Sequence, residues 1–302
     1  VKDGAKLTVY APPHDESSLP AVVFAHGGGF MSGSRRHVDG LCRELAVRAA
    51  VAVVSVEYRL APEHPFPAGL DDVRSAVSYC RGSPALPNAG TIDGARVALA
   101  GESAGANLAH VAALLARDDD DESDGEGETP PNALPKKPWL RCELLCTPQL
   151  GLRCDERSVA EYGHGHFLTR EFLDYVREVA YRERRDDWRV APLDAVTAPT
   201  LDLDGFATPT LILAAELDPL ADQAFDYHDA LLVKRNRVRS PQLPTLLELL
   251  VETLAASEHG PRAPARPHAA AAPAAAVVAL PPDPSAAPPP RRRAAAATGP
   301  SR

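Results

Sequence analysis

The sequence predicts an α/β fold in which helices cover both faces of a mostly parallel central sheet. Short apolar runs rich in Val and Ala alternate with longer stretches of helical periodicity, the order expected when helices connect parallel strands. A serine flanked by glycines lies between one such run and the helical stretch after it. With 302 residues, 45% of them hydrophobic and 24% charged, the chain has enough core for one large domain or two small ones.

The predicted strands are short runs of β-branched and other apolar residues, as expected for strands covered on both faces. In chain order they are residues 6–10, 21–25, 51–56, 96–100, 142–146 and 210–214. The predicted helices are longer stretches in which apolar residues recur three and four positions apart. They are residues 38–49, 69–80, 104–116, 170–182 and 221–232.

Charge is distributed unevenly along the chain, whose formal net charge is −9. Residues 1–233 carry 22 basic and 37 acidic side chains, whereas residues 234–302 carry 10 and 4. Because no global positive field exists to hold nucleic acid or an anionic membrane, we expect neither as a partner. No apolar run reaches the roughly 18 residues that a membrane-spanning helix needs, so no membrane span is expected.

The cysteines give no sign of a disulfide framework or a metal site. There are five, an odd number, and none forms a C-x-x-C pair or a Cys/His zinc pattern. We interpret them as reduced structural thiols and expect neither a metal nor another cofactor. Because no charged-then-apolar signal segment opens the chain, we expect a cytoplasmic protein. Since the first residue is Val1 rather than Met, we also expect that an N-terminal piece is missing from this sequence.

Two segments differ in composition from the rest. Residues 118–128 hold eight acidic side chains and lead into prolines, so we predict that residues 118–138 are a solvated loop inserted in the fold. Residues 233–302 contain 13 of the 30 prolines together with alanine runs and an arginine cluster, which is typical of a disordered low-complexity tail. Within this tail only residues 243–254 have a helical pattern. The folded core is therefore predicted to be residues 1–232.

The strongest local signal is the segment Gly101-Glu-Ser103-Ala-Gly105. It follows the apolar run 96–100 directly and precedes the helix that begins near Ala104. This is the strand, tight turn and helix that a G-x-S-x-G nucleophile elbow requires, with glycines where side chains would collide with neighbouring elements. The serine hydroxyl would project from the turn and the amide of Ala104 would point into the site. A chance Gly/Ser turn is the alternative reading of these five residues.

A glycine loop is the second signal. His26 and the three glycines after it follow the predicted strand 21–25, and such glycines let backbone N–H groups approach a substrate, as an oxyanion hole needs. A flexible loop or a phosphate cradle is the alternative, but the Gly-Lys-Ser/Thr ending of a P-loop is missing. For His26 itself we favour a structural role in the turn.

Asp218 is the third signal. It lies beyond the predicted strand 210–214, where a carboxylate at the C-terminal end of a strand can orient an imidazole. An aspartate before a proline is also a common turn residue. The order is informative, because the acid follows Ser103 in the chain and a histidine is then expected third.

These segments resemble the hormone-sensitive-lipase branch of the α/β-hydrolase esterases. The resemblance covers about residues 1–232 and is carried, in the family's order, by residues 26–30, 56–68, 101–107, 162–170 and 217–220. It implies an α/β-hydrolase fold and a serine carboxylesterase that cleaves small esters with short to medium acyl chains, without a cofactor. It also implies that Ser103 is the nucleophile and Asp218 the acid of a catalytic triad. The oxyanion donors it implies are Gly27, Gly28, Gly29 and Ala104.

The sequence departs from the family at both ends. Members carry a His-Gly pair on a loop after the last strand, whereas here a basic stretch and the tail follow residue 233, so we expect the terminal strand and helix to be missing or altered. His259, which precedes Gly260 and lies 41 residues past Asp218, is our candidate for the triad histidine, ahead of His228 and His268. Relatives carry cap helices before the first strand, and because this sequence starts at the sheet we expect none in it.

Three hypotheses about function follow from these residues. The first is an active carboxylesterase with an acyl-enzyme on Ser103. The second is a non-catalytic receptor for a small ligand, since the plant gibberellin receptors resemble the same family and have lost the histidine. The third is an inactive product of a truncated or frame-shifted esterase gene. The oligomeric state is left open.

Overall fold

A computed structural model describes residues 5–12, 18–86, 90–116, 139–197 and 208–235. Within these ranges the six predicted strands are all present and form one sheet. Their bounds are β1 Lys6–Tyr10, β2 Ser18–Ala25, β3 Ala52–Glu57, β4 Thr91–Glu102, β5 Leu140–Cys146 and β6 Thr210–Leu213. The prediction of a mostly parallel sheet with helices is confirmed.

The strand order across the sheet is β1-β3-β2-β4-β5-β6. Only the first pair is antiparallel, with Lys6 of β1 opposite Glu57 of β3. The other four pairs of neighbouring strands are parallel. The carboxyl ends of β2, β4 and β6 therefore meet at one edge of the sheet, and the three predicted site segments follow these strands.

Seven α-helices occur in the described part of the chain. They are α1 Asp39–Ala49, α2 Ala68–Arg81, α3 Ala104–Leu115, α4 Arg157–Tyr162, α5 Arg170–Val176, α6 Pro192–Thr197 and α7 Ala221–Arg235. The sequence did not predict α4 or α6, because six residues are too few to show a helical repeat. The predicted helix 170–182 is α-helical only to Val176 and continues as a π-helix, Arg177–Tyr181, and a short 3-10 turn, Arg182–Arg184.

The sheet is buried on both faces, which explains its continuous apolar strands. Along β2, the side chains of Val23 and Ala25 pack into the core under α2 and α3, whereas Val22 and Phe24 pack against α1. All twelve residues of α3 are buried. The helix that follows Ser103 is thus the central helix of the core, which holds the turn before it in a fixed position.

The predictions about cysteines, membrane spans, metal sites and low-complexity segments can be compared with the described residues only. All five cysteines are free, and burial raises the pKa of the Cys80 thiol to about 12. No helix in the described ranges is long and apolar enough to cross a membrane. Among the same residues no cluster of His, Cys, Asp and Glu has the size to hold a metal ion. The loop 118–138 and the tail, apart from its first three residues in α7, lie outside the described residues.

Candidate active site

Ser103 occupies a strained turn between β4 and α3. Its φ of 53° and ψ of −119° are a conformation that non-glycine residues seldom adopt. Its N–H donates to the carbonyl oxygen of Cys146 at 2.8 Å, and its carbonyl oxygen accepts from the N–H of Asn107 at 3.2 Å. The half-buried serine is therefore fixed through its main chain to β5 on one side and to the first turn of α3 on the other.

The two glycines around Ser103 are required by close backbone approaches. A Cβ atom on Gly105 would overlap the carbonyl oxygens of Ala25 and His26 at the end of β2. A Cβ atom on Gly101 would overlap the main chain of Gly105. The elbow is thus pressed against the neighbouring strand and against its own helix, as the sequence pattern predicts.

The glycine loop after β2 lies directly beside this elbow. A Cβ atom on Gly27 would come within 3.2 Å of the carbonyl oxygen of Glu102, the residue before Ser103. Gly28 and Gly29 have φ values of +130° and +61°, which favour glycine. Because Ala104 is the first residue of α3, its N–H has no acceptor within the helix. Ser103 is therefore flanked by the backbone of the glycine loop and by the N-terminus of α3.

Helix α5 covers the glycine loop. A Cβ atom on Gly29 would lie 3.1 Å from the ring of Phe172 and 3.1 Å from Val176. Phe172 is 37% exposed, so its ring contacts both the loop and solvent. The family resemblance includes residues 162–170, just before these two side chains, but it does not point to either of them. The apolar spacing of α5 was visible, but nothing local identified the loop as its partner.

His26 is held inside the protein and acts as a support. Its ring stacks on Tyr58 with 4.2 Å between centroids, and its Nδ1 lies 2.8 Å from the carbonyl oxygen of Gly27. Because a carbonyl only accepts, Nδ1 carries the proton. Burial lowers the pKa of His26, and no partner for Nε2 is found among the described residues. The Tyr58 hydroxyl donates to the His26 carbonyl oxygen at 2.8 Å, so both side chains stabilise the start of the glycine loop.

Asn107 and Glu102, the motif neighbours of Ser103, differ in their surroundings. The buried Asn107 side chain donates to the carbonyl oxygens of Gln149 and Val190 at 2.8 and 3.2 Å. It joins α3 to the chain after β5 and to the segment before α6. Glu102 is exposed. Asn107 therefore supports the elbow structurally by fixing the first turn of α3 to these two segments.

Asp218 lies in the turn between β6 and α7. Its Oδ1 accepts from the N–H of Leu220 at 2.9 Å, and burial raises the pKa of its carboxyl. Hydrogen bonds between strand ends connect its side of the sheet to Ser103, since Thr147 after β5 donates to the carbonyl oxygen of Leu213 at 2.7 Å. Strands β4 and β6 flank β5, so the serine and the acid follow strands about 10 Å apart at the same edge.

The histidine of the predicted triad is not visible in the described ranges. No histidine described by the structure hydrogen-bonds to Ser103 or Asp218. His228 lies on α7 with its Nδ1 2.8 Å from Asp229 Oδ1, a surface pair. His259 and His268 lie outside the described residues. The structure thus brings Ser103, the glycine loop and Ala104 together, places Asp218 at the same edge, and leaves the histidine as a prediction.

Comparison with known proteins identifies relatives of this architecture. The model of a family with the α/β-hydrolase fold matches residues 22–247. The carboxylic ester hydrolase LipN of Mycobacterium tuberculosis is 36% identical over 221 residues, which are 72% of this chain and 54% of LipN. The ethyl acetate hydrolase of Pseudomonas putida is 34% identical over 235 residues, 75% of this chain and 65% of the relative. The chain thus spans between half and two thirds of the length of these two relatives.

A solved structure shows the same arrangement of elements. The esterase of Pyrobaculum calidifontis superimposes with a TM-score of 0.63 and 32% sequence identity. The match covers 76% of this chain and 68% of that esterase. Over the matched part, the two chains share the α/β-hydrolase fold.

Proposed function

Since the chain belongs to the hormone-sensitive-lipase-like family of α/β hydrolases, we propose that it is a carboxylic ester hydrolase with Ser103 as its nucleophile. One observation carries this proposal. The serine stands on a strained strand-to-helix turn, between a glycine loop and the N–H of Ala104, which has no acceptor within its helix. This geometry exposes the hydroxyl beside backbone donors, which is what acyl transfer requires.

The proposed reaction proceeds through an acyl-enzyme. Ser103 Oγ attacks the ester carbonyl carbon while a histidine removes the hydroxyl proton. The negative charge on the carbonyl oxygen is stabilised by backbone N–H groups of the loop Gly27, Gly28 and Gly29 and by that of Ala104. The tetrahedral intermediate expels the alcohol, which takes the proton from the histidine. Water then repeats the same steps on the acyl-enzyme and releases the acid.

Asp218 is proposed to orient the histidine and to stabilise its charged form. Its Oδ1 accepts from the Leu220 N–H, and the carboxylate has further acceptor positions for an imidazole, above all at Oδ2. Burial disfavours the ionised carboxyl, and an imidazolium neighbour would offset this cost. His259 remains our proposal for the base, because it is followed by glycine and comes after Asp218 in the chain.

The proposed substrates are small esters with short to medium acyl chains. The ring of Phe172 and the side chain of Val176 lie against Gly29, so an ester with its carbonyl oxygen at the glycine loop would meet apolar groups beside it. The relative from Pseudomonas putida is named for ethyl acetate, a short ester. We propose the same class for this chain.

Hydrolysis of p-nitrophenyl butyrate by the full chain tests the proposal. Ser103→Ala should lower kcat by at least about 10³-fold and abolish labelling by a fluorophosphonate, because the nucleophile is removed. Ser78→Ala, an exposed serine on α2, is the matched control and should keep full activity and labelling. Equal activity of wild type and Ser103→Ala would contradict the proposal.

The time course identifies the missing base. Sustained turnover that depends on Ser103 requires a base, and His259→Ala should then reduce it by a comparable factor. A burst of nitrophenol without turnover would show that Ser103 is acylated but that the acyl-enzyme lacks an effective base for its hydrolysis. Saturable binding of a small carboxylic acid with neither burst nor turnover would favour the receptor hypothesis.

A further inference from the structure

The Asp218 turn receives little support from its own strand. Strand β6 ends at Leu213, and residues 215–217 are exposed, with Leu217 at 71%. An exposed connection of this kind does not by itself fix a side chain that must hold an imidazole in one orientation. The position of Asp218 therefore depends on contacts made by the residues that follow it.

Ser158, near the start of α4, supplies the first of these contacts. Its hydroxyl donates to the carbonyl oxygen of Pro219 at 2.8 Å, and Pro219 directly follows Asp218. The serine is 3% exposed and lies 61 residues from this partner. Because the bond is shielded from water, the hydroxyl holds the peptide unit between Pro219 and Leu220 in one orientation.

Ser158 and Asp222 also exchange hydrogen bonds. The Ser158 N–H donates to Asp222 Oδ2 at 2.8 Å, and the Asp222 N–H donates to Ser158 Oγ at 3.2 Å. Each residue lies in the first turn of a helix, where N–H groups lack acceptors within the helix. Each side chain thus satisfies a donor of the other helix, and the starts of α4 and α7 are joined across the Asp218 turn.

Apolar packing reinforces the same connection. Leu220 is 2% exposed and belongs to one cluster with Val159 of α4 and Leu173 of α5. The N–H of Leu220 is also the donor to Asp218 Oδ1. The residue that holds the carboxylate is therefore itself held by the helices that carry Ser158 and Phe172.

We propose that Ser158, paired with Asp222, is a positioning residue that fixes the Asp218 carboxylate in the orientation needed for hydrolysis. It touches neither the substrate nor the reacting atoms and acts through the peptide unit between Pro219 and Leu220, whose N–H donates to Asp218 Oδ1. This inference rests on the proposed function. It assigns a catalytic consequence to two residues that no sequence motif singles out.

The test compares Ser158→Ala with Tyr10→Phe in the full chain. Tyr10→Phe removes a hydroxyl that donates to Asp39 at 2.8 Å on the edge strand β1, so it also deletes one hydrogen bond, but far from the turn. Ser158→Ala should lower kcat on p-nitrophenyl butyrate by about 10- to 100-fold and leave KM within about twofold, because misplacing a catalytic group affects the chemical step. Tyr10→Phe should leave both constants unchanged.

A pH profile and a conservative variant provide readouts that a loss of stability alone would not move. A displaced Asp218 stabilises the imidazolium less, so the acidic limb of the kcat profile should shift to lower pH in Ser158→Ala. Ser158→Thr, which retains the hydroxyl, should recover most of kcat. Wild-type kcat and an unshifted profile in Ser158→Ala would overturn the proposal, as would an equal loss in Tyr10→Phe.

Ester hydrolysis by wild type and by Ser103→Ala tests the proposed function independently of Ser158. If wild type shows no turnover that depends on Ser103, hydrogen exchange of the Leu220 amide still tests the positioning of Asp218. Ser158→Ala should accelerate this exchange at least about tenfold, because the turn opens locally, while Tyr10→Phe should not. Unchanged exchange in Ser158→Ala would overturn the proposal.

Discussion

The two halves of the candidate site, around Ser103 and around Asp218, are held in place by different kinds of contact. The Ser103 half is made by main chain: Gly105 lies against the carbonyl oxygens at the end of β2, and the Ser103 N–H is bonded to Cys146. The Asp218 half is made by side chains, above all Ser158 and Asp222. Main-chain contacts require particular residues at neighbouring positions, so the Ser103 half shows a short sequence pattern. The side-chain contacts of the Asp218 half join residues that lie far apart in the chain, so they give no such pattern.

A buried polar network joins the two halves beneath the site. His110 of α3 contacts Glu143 of β5 through Nδ1 at 3.0 Å and the Tyr227 hydroxyl of α7 through Nε2 at 2.6 Å. The Thr210 hydroxyl of β6 donates to the other oxygen of Glu143 at 2.7 Å. The helix that begins after Ser103 is thereby bonded to the strand and the helix that enclose Asp218.

The largest effect should come from Gly105→Ala, which tests the main-chain half. The added methyl group would overlap the backbone of Ala25 and His26, and backbone oxygens in the central strand cannot move aside. We expect a loss of about 4 kcal/mol or more in the free energy of unfolding, or no soluble protein. Urea unfolding followed by circular dichroism measures this.

Gly40→Ala is the control for this comparison. Gly40 lies in α1 with no atom within 4 Å of an added Cβ, so alanine should be neutral or stabilise by up to about 1 kcal/mol. A Gly105→Ala protein as stable as Gly40→Ala would show that the elbow is not held by main-chain contact.

An intermediate effect is expected from His110→Ala, which tests the connection between the halves. The change leaves the fully buried Glu143 carboxylate with the Thr210 hydroxyl as its partner among the described residues, and we expect a loss of about 3 kcal/mol. His228→Ala, at a surface pair on α7, should change stability by less than about 0.5 kcal/mol.

A double variant sharpens this test. His110→Ala leaves the buried Glu143 carboxylate without its histidine partner. Replacing both His110 and Glu143 with leucine removes that carboxylate, so the double variant should be more stable than the single variant. Chemical denaturation of wild type, His110→Ala and the double variant measures this difference in the free energy of unfolding. A double variant less stable than His110→Ala would mean that packing, rather than charge, determines the cost.

The smallest effect should come from Glu156→Gln, at the start of α4 on the side-chain half. Glu156 is 8% exposed, neither carboxylate oxygen has a partner among the described residues, and burial raises its pKa. The folded state therefore binds the proton more tightly, and wild-type stability falls as pH rises from about 4.5 through the raised pKa. Glutamine should stabilise the protein by about 1 kcal/mol at pH 7.

Thermal unfolding at pH 4 and pH 7 measures this pH dependence. The difference between Glu156→Gln and wild type should be larger at pH 7, where the wild-type carboxyl loses its proton. Glu44→Gln, at an exposed pair with Arg48, should show no comparable change. A gap of equal size at both pH values would contradict the assignment.

The same division explains how much the sequence could predict. All six strands were predicted, but β4 begins at Thr91 rather than residue 96, because Asp93 and Gly94 interrupt the apolar pattern. The helical periodicity after Val176 was misleading, since the chain there forms a π-helix whose Ala180 carbonyl accepts from the N–H of Phe66. Such a contact between distant segments has no local signature.

At the site, prediction succeeded where function and backbone geometry act on the same few residues. Ser103 and its glycines were identified because the turn itself excludes other side chains. Ser158 was not, because a buried serine 61 residues from its partner resembles any other serine near the start of a helix. The aspartate four residues past Asp218, Asp222, was visible in the sequence, but nothing in the sequence identified Ser158 as its partner.

The backbone conformation of Ser103 restricts which nucleophiles evolution or protein engineering can place at this turn. At a φ of 53°, a side chain branched at Cβ collides with its own main chain, so threonine is excluded although its hydroxyl has the same chemistry. Cysteine and aspartate are unbranched at Cβ and fit the same backbone. Replacement of Ser103 by cysteine or aspartate is therefore compatible with this turn, whereas replacement by threonine, the other aliphatic alcohol, is not.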